Sequence, residues 1–282
     1  MDKNIVSKVS DTLVRAGTTF TKDKIEAYKR AIVQETEPKS KWVLEKILEN
    51  ALLSEHSKCP LCDDTGIPHL FIEIGKNNQI DGCMLETIKY GVVEGLRKLP
   101  GRPMAIMGND IQRIDQSGEL SEDPGAVEPS PIFIKTVDEN VIRLHIIMQG
   151  GGPAIRAKTY HVFHKHNVNT VKDEIINWAI QGAGLLGCTP CTLAIGIGRS
   201  HFEAASMMME AQVYGNYNVQ SDLEKEITDK VNESEVGVLG LHGKTTVLAT
   251  FIKVGAQRAS GVRIVCLRPC CCFEPRIAHV EL

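Results

Sequence analysis

The run Lys58-Cys59-Pro60-Leu61-Cys62-Asp63-Asp64-Thr65-Gly66-Ile67-Pro68 gathers two cysteines, two aspartates, a threonine and a turn glycine in one short stretch. Thiolates bind soft metals, and adjacent carboxylates move protons. Thr65-Gly66 with Pro68 is turn chemistry and does not start a helix. The stretch therefore reads as a loop carrying chemistry, after a helix and before a short strand, His69 to Gly75. A lone C-x-x-C pair also arises by chance or as a redox motif, so these residues alone leave metal binding and thiol chemistry both open.

Composition narrows the classes. The 282 residues suit one large domain or two small ones. Hydrophobic residues make up 43%, enough for a buried core, and aromatics only 5%, so that core should be aliphatic. A net charge of −3 lacks the basic stripe of a general nucleic-acid binder. No apolar run reaches membrane-spanning length, and the opening M-D-K-N-I-V-S-K lacks the apolar segment of a secretion signal. A cytoplasmic protein without nucleic-acid or membrane partners is expected. In a reducing cytosol the nine cysteines should not form a disulfide framework. Cys83 stands alone and is expected to be a small core hydrophobe.

Along the chain, residues 1 to about 55 have helical spacing, with Ile25, Tyr28 and Ile32 and then Val43, Leu44, Ile47 and Leu48. Pro38 separates two helices, Ser40 is a plausible N-cap, and the region reads as scaffold. Met84 to Leu99 reads as a helix. Residues 100 to 131 are irregular, and a loop of that length is a surface loop or lies over a site or partner. Ile132–Val137 and Val141–Met148 read as a hairpin joined by Asp138-Glu139-Asn140. The second strand runs into Gly150-Gly151-Gly152-Pro153, either a flexible turn or a backbone cradle for an anion, with Arg156 and Lys158 close behind. Residues 171 to 183 read as a helix, Cys188 and Cys191 as part of a turn, and Thr192–Ile197 as a buried strand. Helices follow at 203–212 and 221–231, then strands at 247–254 and 262–267. In the helix at 203–212, the run Met207-Met208-Met209 reads as core filling. Gly240-Leu241-His242-Gly243-Lys244-Thr245-Thr246 is not a phosphate-binding loop, because Val238 stands where that pattern needs glycine.

Three cysteine loops, around Cys62, Cys188 and Cys270-Cys271-Cys272, are far apart in the sequence. A structural zinc site usually draws on two close pairs. Widely spaced thiolates suit an iron–sulfur cluster, and one cysteine per loop gives three ligands and leaves one iron open as a Lewis acid. Thiol–disulfide exchange fits less well: Asp63-Asp64 would raise the Cys62 pKa, and no helix begins there.

Taken in order, these runs resemble the alpha subunit, or N-terminal half, of the class I iron–sulfur hydro-lyases, the oxygen-sensitive fumarases and L-tartrate dehydratases. The matching segments are Cys62-Asp63-Asp64-Thr65-Gly66, Gly150-Gly151-Gly152, Cys188 through Gly198, Gly240 through Leu248, and Cys272-Phe273-Glu274-Pro275-Arg276. The resemblance implies one α/β domain over residues 1–282, a mixed β-sheet flanked by helices, with a helical N-terminal part at 1–55. It implies a 4Fe-4S cluster on Cys62, Cys188 and Cys272, with Cys270 the runner-up to Cys272. Asp64 would handle protons, and Gly150, Gly151, Gly152 and Lys244 would bind substrate. The implied reaction is the reversible hydration or dehydration of a small dicarboxylate, fumarate/malate- or tartrate-like. A separate beta subunit would supply the rest of the site, and alpha subunits would pair as homodimers. The chain departs from the family pattern at Asp63, where the family has glutamine, and after the triple glycine. A non-catalytic zinc or iron–sulfur protein, structural or sensing, is the alternative.

Overall fold

The computed structural model describes residues 1–282. In chain order its elements are α1 (Lys3–Thr18), α2 (Lys22–Gln34), α3 (Pro38–Ser57), β1 (Ile67–Gly75), α4 (Gly82–Lys98), a short α5 (Asp110–Asp115), β2 (Phe133–Val137), β3 (Ile142–Gln149), α6 (Gly151–Arg156), β4 (Lys158–Phe163), α7 (Val168–Leu186), β5 (Cys191–Gly198), α8 (His201–Tyr214), α9 (Asp222–Asn232), β6 (Val247–Val254), β7 (Val262–Cys270) and β8 (Arg276–Glu281). The expected α/β class and helical N-terminal region are present, and the strands form two mixed four-stranded sheets. The chain divides into two compact units.

The first unit comprises Met1–Phe20, Ala51–Gly150 and Arg276–Leu282. Its sheet has the order β2-β1-β3-β8, with β2 parallel to β1 and the other neighbours antiparallel. One face packs on α1 and α4: Val9, Leu13, Ile88, Val92 and Leu96 meet Leu70, Ile72, Leu144 and Ile146. The expected hairpin is not formed, because β1 lies between β2 and β3. The burial patterns explain this: β1 is buried along most of its length, whereas β2 alternates between half-buried and exposed residues and takes the edge.

On the sheet's other face, Glu73 is buried and shared. Arg143 Nη1 donates to its Oε2 at 2.8 Å, and His145 Nε2 lies 3.1 Å from the same oxygen. Burial lowers the His145 pKa, outweighing the opposite pull of Glu73. The folded protein therefore holds His145 neutral more strongly than the unfolded chain does. Its contribution to stability is complete above the unfolded histidine value near 6.5 and is lost as pH falls through the folded value. Thermal unfolding followed across pH should show His145→Gln losing less stability on acidification below about pH 6.5 than the parent does.

The second unit comprises Thr21–Asn50 and Gly151–Pro275, with sheet order β4-β7-β5-β6. Every residue of β5 is buried, matching its mostly apolar sequence; the one polar side chain, Thr192, shares a hydrogen bond with Tyr217 Oη at 2.8 Å. Ile175, Ala179 and Ala183 of α7 pack against Leu193, Ile195 and Leu267. On the opposite face α8 comes so close that a Cβ on Gly196 would lie 2.0 Å from the Ala204 carbonyl oxygen. Met208 is buried there, consistent with core filling.

Several local readings change. Ser40 is not an N-cap, since α3 begins at Pro38, whose missing N–H is tolerated in a first turn. Instead Ser40 Oγ donates to the His242 carbonyl at 2.5 Å. The buried stripe of α2 is Lys24, Ala27, Tyr28 and Ala31, rotated from the Ile25–Tyr28–Ile32 face. Cys83 is exposed in the first turn of α4, not in the core. Cys191 begins β5 and is fully buried, leaving only Cys188 in the turn. Residues 100–131 carry α5, capped by a reciprocal Asn109–Gln112 box, and a bridge between Ile106 and Leu120. Strands β4 and β8 were not anticipated.

Candidate metal centre

In the second unit, two of the three cysteine loops lie side by side. Cys188 follows the end of α7, where Gly187 adopts φ +78° and turns the chain. Thr189 Oγ1 donates to the Gly237 carbonyl at 2.6 Å, and the Cys191 N–H donates to the Thr246 carbonyl at 2.9 Å. These bonds fasten the Cys188 turn to the segment leading into β6. The other loop leaves β7 at Cys270, and the Cys272 N–H donates to the Cys188 carbonyl at 2.9 Å. The backbones of Cys188 and Cys272 are thus joined directly.

The turn after Cys272 is held from beneath. The Glu274 N–H returns to the Cys271 carbonyl at 2.9 Å. The Glu274 carboxylate pairs with the Arg268 guanidinium at 3.0–3.2 Å, with side-chain exposures of 0% and 4%. Lys24 Nζ donates to the Glu274 carbonyl at 2.9 Å, and Tyr28 Oη donates to the Cys272 carbonyl at 2.7 Å. Helix α2, read from the sequence as scaffold, therefore sends two side chains to this turn. The signal was present but faint: Lys24 and Tyr28 are four residues apart on the buried stripe, and a lysine there needs a partner.

Electrostatics set the cysteines apart. A hydrogen bond with the Cys271 thiol, then burial, pushes the Cys272 thiol well up, and nearby Cys188 adds to the effect. Burial, with a smaller contribution from Cys271, takes Cys191 up to about 12, so that thiol is inert. Burial also raises Cys270, whose Sγ lies 3.8 Å from Gln212 Oε1 amid Ala194, Ala204 and Met208. Lys24 is lowered to about 8 by burial, against the pull of the neighbouring thiols and Glu274.

Cys62 and Asp64 belong to the first unit, in the loop of residues 58–66. Leu61 is buried and its N–H donates to the Gly17 carbonyl at 3.0 Å. Thr65 Oγ1 accepts the Arg102 N–H at 3.0 Å. Arg276, buried at the start of β8, donates through Nη1 to the Asp64 carbonyl at 2.7 Å. Gly66 has φ +82°, and a Cβ there would lie 2.6 Å from Arg276 Nη2 and 2.9 Å from the Gln149 carbonyl. Only glycine fits. The half-buried Cys62 thiol donates to Asp63 Oδ1 at 3.3 Å, which holds the Asp63 carboxyl below its ordinary range.

The triple glycine is neither simple turn nor open cradle. Gly150 ends the β3 segment in the first unit, whereas Gly151 and Gly152 open the six-residue α6 in the second and are exposed. Lys244 is exposed, while its N–H and that of Thr245 donate to the buried Glu35 carboxylate at 3.1 Å. Burial would raise Glu35, but these bonds and those from Thr36 and Glu37 outweigh it and lower its pKa. Neither unit by itself gathers three His, Cys, Asp or Glu side chains at metal-binding spacing.

The fumarate hydratase (Fumerase) family model matches residues 6–281. A Methanocaldococcus jannaschii protein provisionally named L(+)-tartrate dehydratase subunit alpha is 29% identical over 277 residues, covering 92% of this chain and 94% of its own length. The L(+)-tartrate dehydratase subunit alpha of Escherichia coli K12 is 20% identical over 267 residues, covering 93% of this chain and 86% of its own. A Geobacillus stearothermophilus protein provisionally named fumarate hydratase class I is 24% identical over 261 residues; 87% of this chain is covered, but only 48% of that relative. Since the family match runs through both units almost from end to end, the chain belongs to the fumarate hydratase (fumerase) family of hydro-lyases.

Proposed function

We propose that the chain is the cluster-binding alpha subunit of a cytoplasmic hydro-lyase acting on a small dicarboxylate, fumarate/malate- or tartrate-like. Cys62, Cys188 and Cys272 would hold a 4Fe-4S cluster. The observation that carries the reading is the hydrogen bond joining Cys188 to Cys272, two cysteines far apart in the sequence. The donor chemistry fits such a group. The Cys188 thiol lies close enough to add to the rise in the Cys272 pKa, an environment that would favour a cationic metal, and thiolates are the usual cluster ligands. When bound, the cluster would supply a Lewis-acidic iron to the substrate's oxygen.

The chain's own residues do the rest. Asp64 would move the proton at its carboxylate, in a loop positioned by the Arg276 bond to its carbonyl. Gly150, Gly151 and Gly152 would bind the substrate, as the family resemblance implies; Gly152 is exposed, and a Cβ on it would meet nothing within 4 Å. Two relatives are named as alpha subunits, which supports a separate beta subunit for this chain too. Homodimerisation of the alpha chain belongs to the same reading. The test is anaerobic purification with the product of the adjacent reading frame, followed by metal and sulfide analysis and hydration assays on fumarate, malate and tartrate. About four irons and four sulfides per alpha chain, with activity on one of these acids, are expected. Zinc without sulfide would remove the reading.

A further inference from the structure

A cavity of about 580 Å³ opens in the second unit between α2, α9 and the segment entering β6, within the range of ligand pockets. Ala27, Ala31, Val247 and Leu248 are its apolar lining, and no cysteine lines it. Arg30, Lys225 and Lys244 line it as cations, against the single carboxylate of Asp229. That excess runs counter to the chain's net charge of −3.

The cations are placed differently. Arg30 is fixed, donating through Nη1 to Asn218 Oδ1 at 2.7 Å and through Nη2 to the Tyr217 carbonyl at 2.9 Å. Lys244 is exposed, and its backbone is anchored by Glu35. Lys225 pairs with Asp229 at 2.6 Å, but both are exposed, so the pair is worth little and exchanges readily for a stronger anion. The wall is rigid: Asn232 accepts the N–H groups of Thr246 and Val247 at 2.9 and 2.8 Å and donates to the Val247 carbonyl at 3.1 Å.

We propose that this cavity binds a small organic polyanion, one bearing two or more carboxylate or phosphate groups, and that Lys244 serves it. The proposal uses none of the thiol-loop residues, and it moves Lys244 from the substrate-binding role that the family resemblance implies to this cavity. Isothermal titration of the purified holo complex at low salt would use two probes. Propane-1,2,3-tricarboxylate lacks the hydroxyl that makes related acids iron chelators, and ATP represents the phosphate source. Saturable binding of at least one probe is expected, and the tighter of the two identifies the head group. Affinity should fall as salt rises, and Arg30→Ala and Lys244→Ala should each weaken binding at least about tenfold, or about 1.4 kcal/mol. Both side chains are exposed, so both variants should fold. Lys89→Ala, on α4 of the first unit, should bind as the parent does. Absence of saturable binding by both probes, or unchanged affinity in both cavity variants, would overturn the proposal. The titration reads binding and not turnover, so such a result would leave the hydro-lyase reading untouched.

Discussion

Cys188→Ser is expected to purify without iron or sulfide and with activity lowered more than about 100-fold, beyond what loss of a supporting residue costs. Cys191→Ser, only three positions on, should keep the full cofactor content. The two residues differ in environment and not in chemistry. Cys188 is exposed at the end of a helix, with its carbonyl bonded to Cys272. Cys191 is fully buried in β5 among Ile175, Leu193 and Val247, and burial holds its thiol up to about 12. A serine hydroxyl at 191 costs some packing but removes no ligand. Iron and sulfide content of anaerobically purified protein checks both outcomes. Retention of the cofactor by the Cys188 variant with its loss in the Cys191 variant would reassign the ligand.

Glu274→Ala should lower stability by about 3–5 kcal/mol, because it leaves the Arg268 guanidinium buried without its counter-charge. For a chain of this length that corresponds to a fall in melting temperature of about 5–8 °C. The alanine backbone keeps the carbonyl that accepts Lys24, so the loss isolates the carboxylate. Combining Arg268→Met with Glu274→Leu should recover much of it, since replacing a buried pair with apolar residues removes two desolvation costs together. Calorimetry of Arg268→Met, Glu274→Leu and the double variant provides the cycle, with Glu274→Ala measured alongside. If the double variant is as unstable as Glu274→Ala, the turn depends on more than charge.

The parts of this structure readable from sequence were those governed by local rules. The mostly apolar run at 192–197 reads as a buried strand, and the turn chemistry of Thr65-Gly66 placed a loop before β1. Strand order was not readable, because Ile132–Val137 and Val141–Met148 are spaced like a hairpin and only the whole sheet shows that β1 takes the place between them. Polar residues serving distant backbone were equally hidden. Glu35 was one charged residue among many at a helix end, yet it holds the backbone of Lys244 and Thr245. Arg276 was visible as the last residue of a motif, but its bond to Asp64 depends on β8 pairing with β3. Cys83 misled for the opposite reason, as cysteine is usually buried and nothing local marks an outward-facing first turn.

The anchor of Asp64 is made 212 positions after the residue it holds. During translation at about 5–20 residues per second, the Cys62–Gly66 segment therefore waits roughly 10–40 s before its guanidinium clasp exists. Throughout that interval the nascent chain has the thiol without the strap, so this loop takes its final form only once residue 276 has been made.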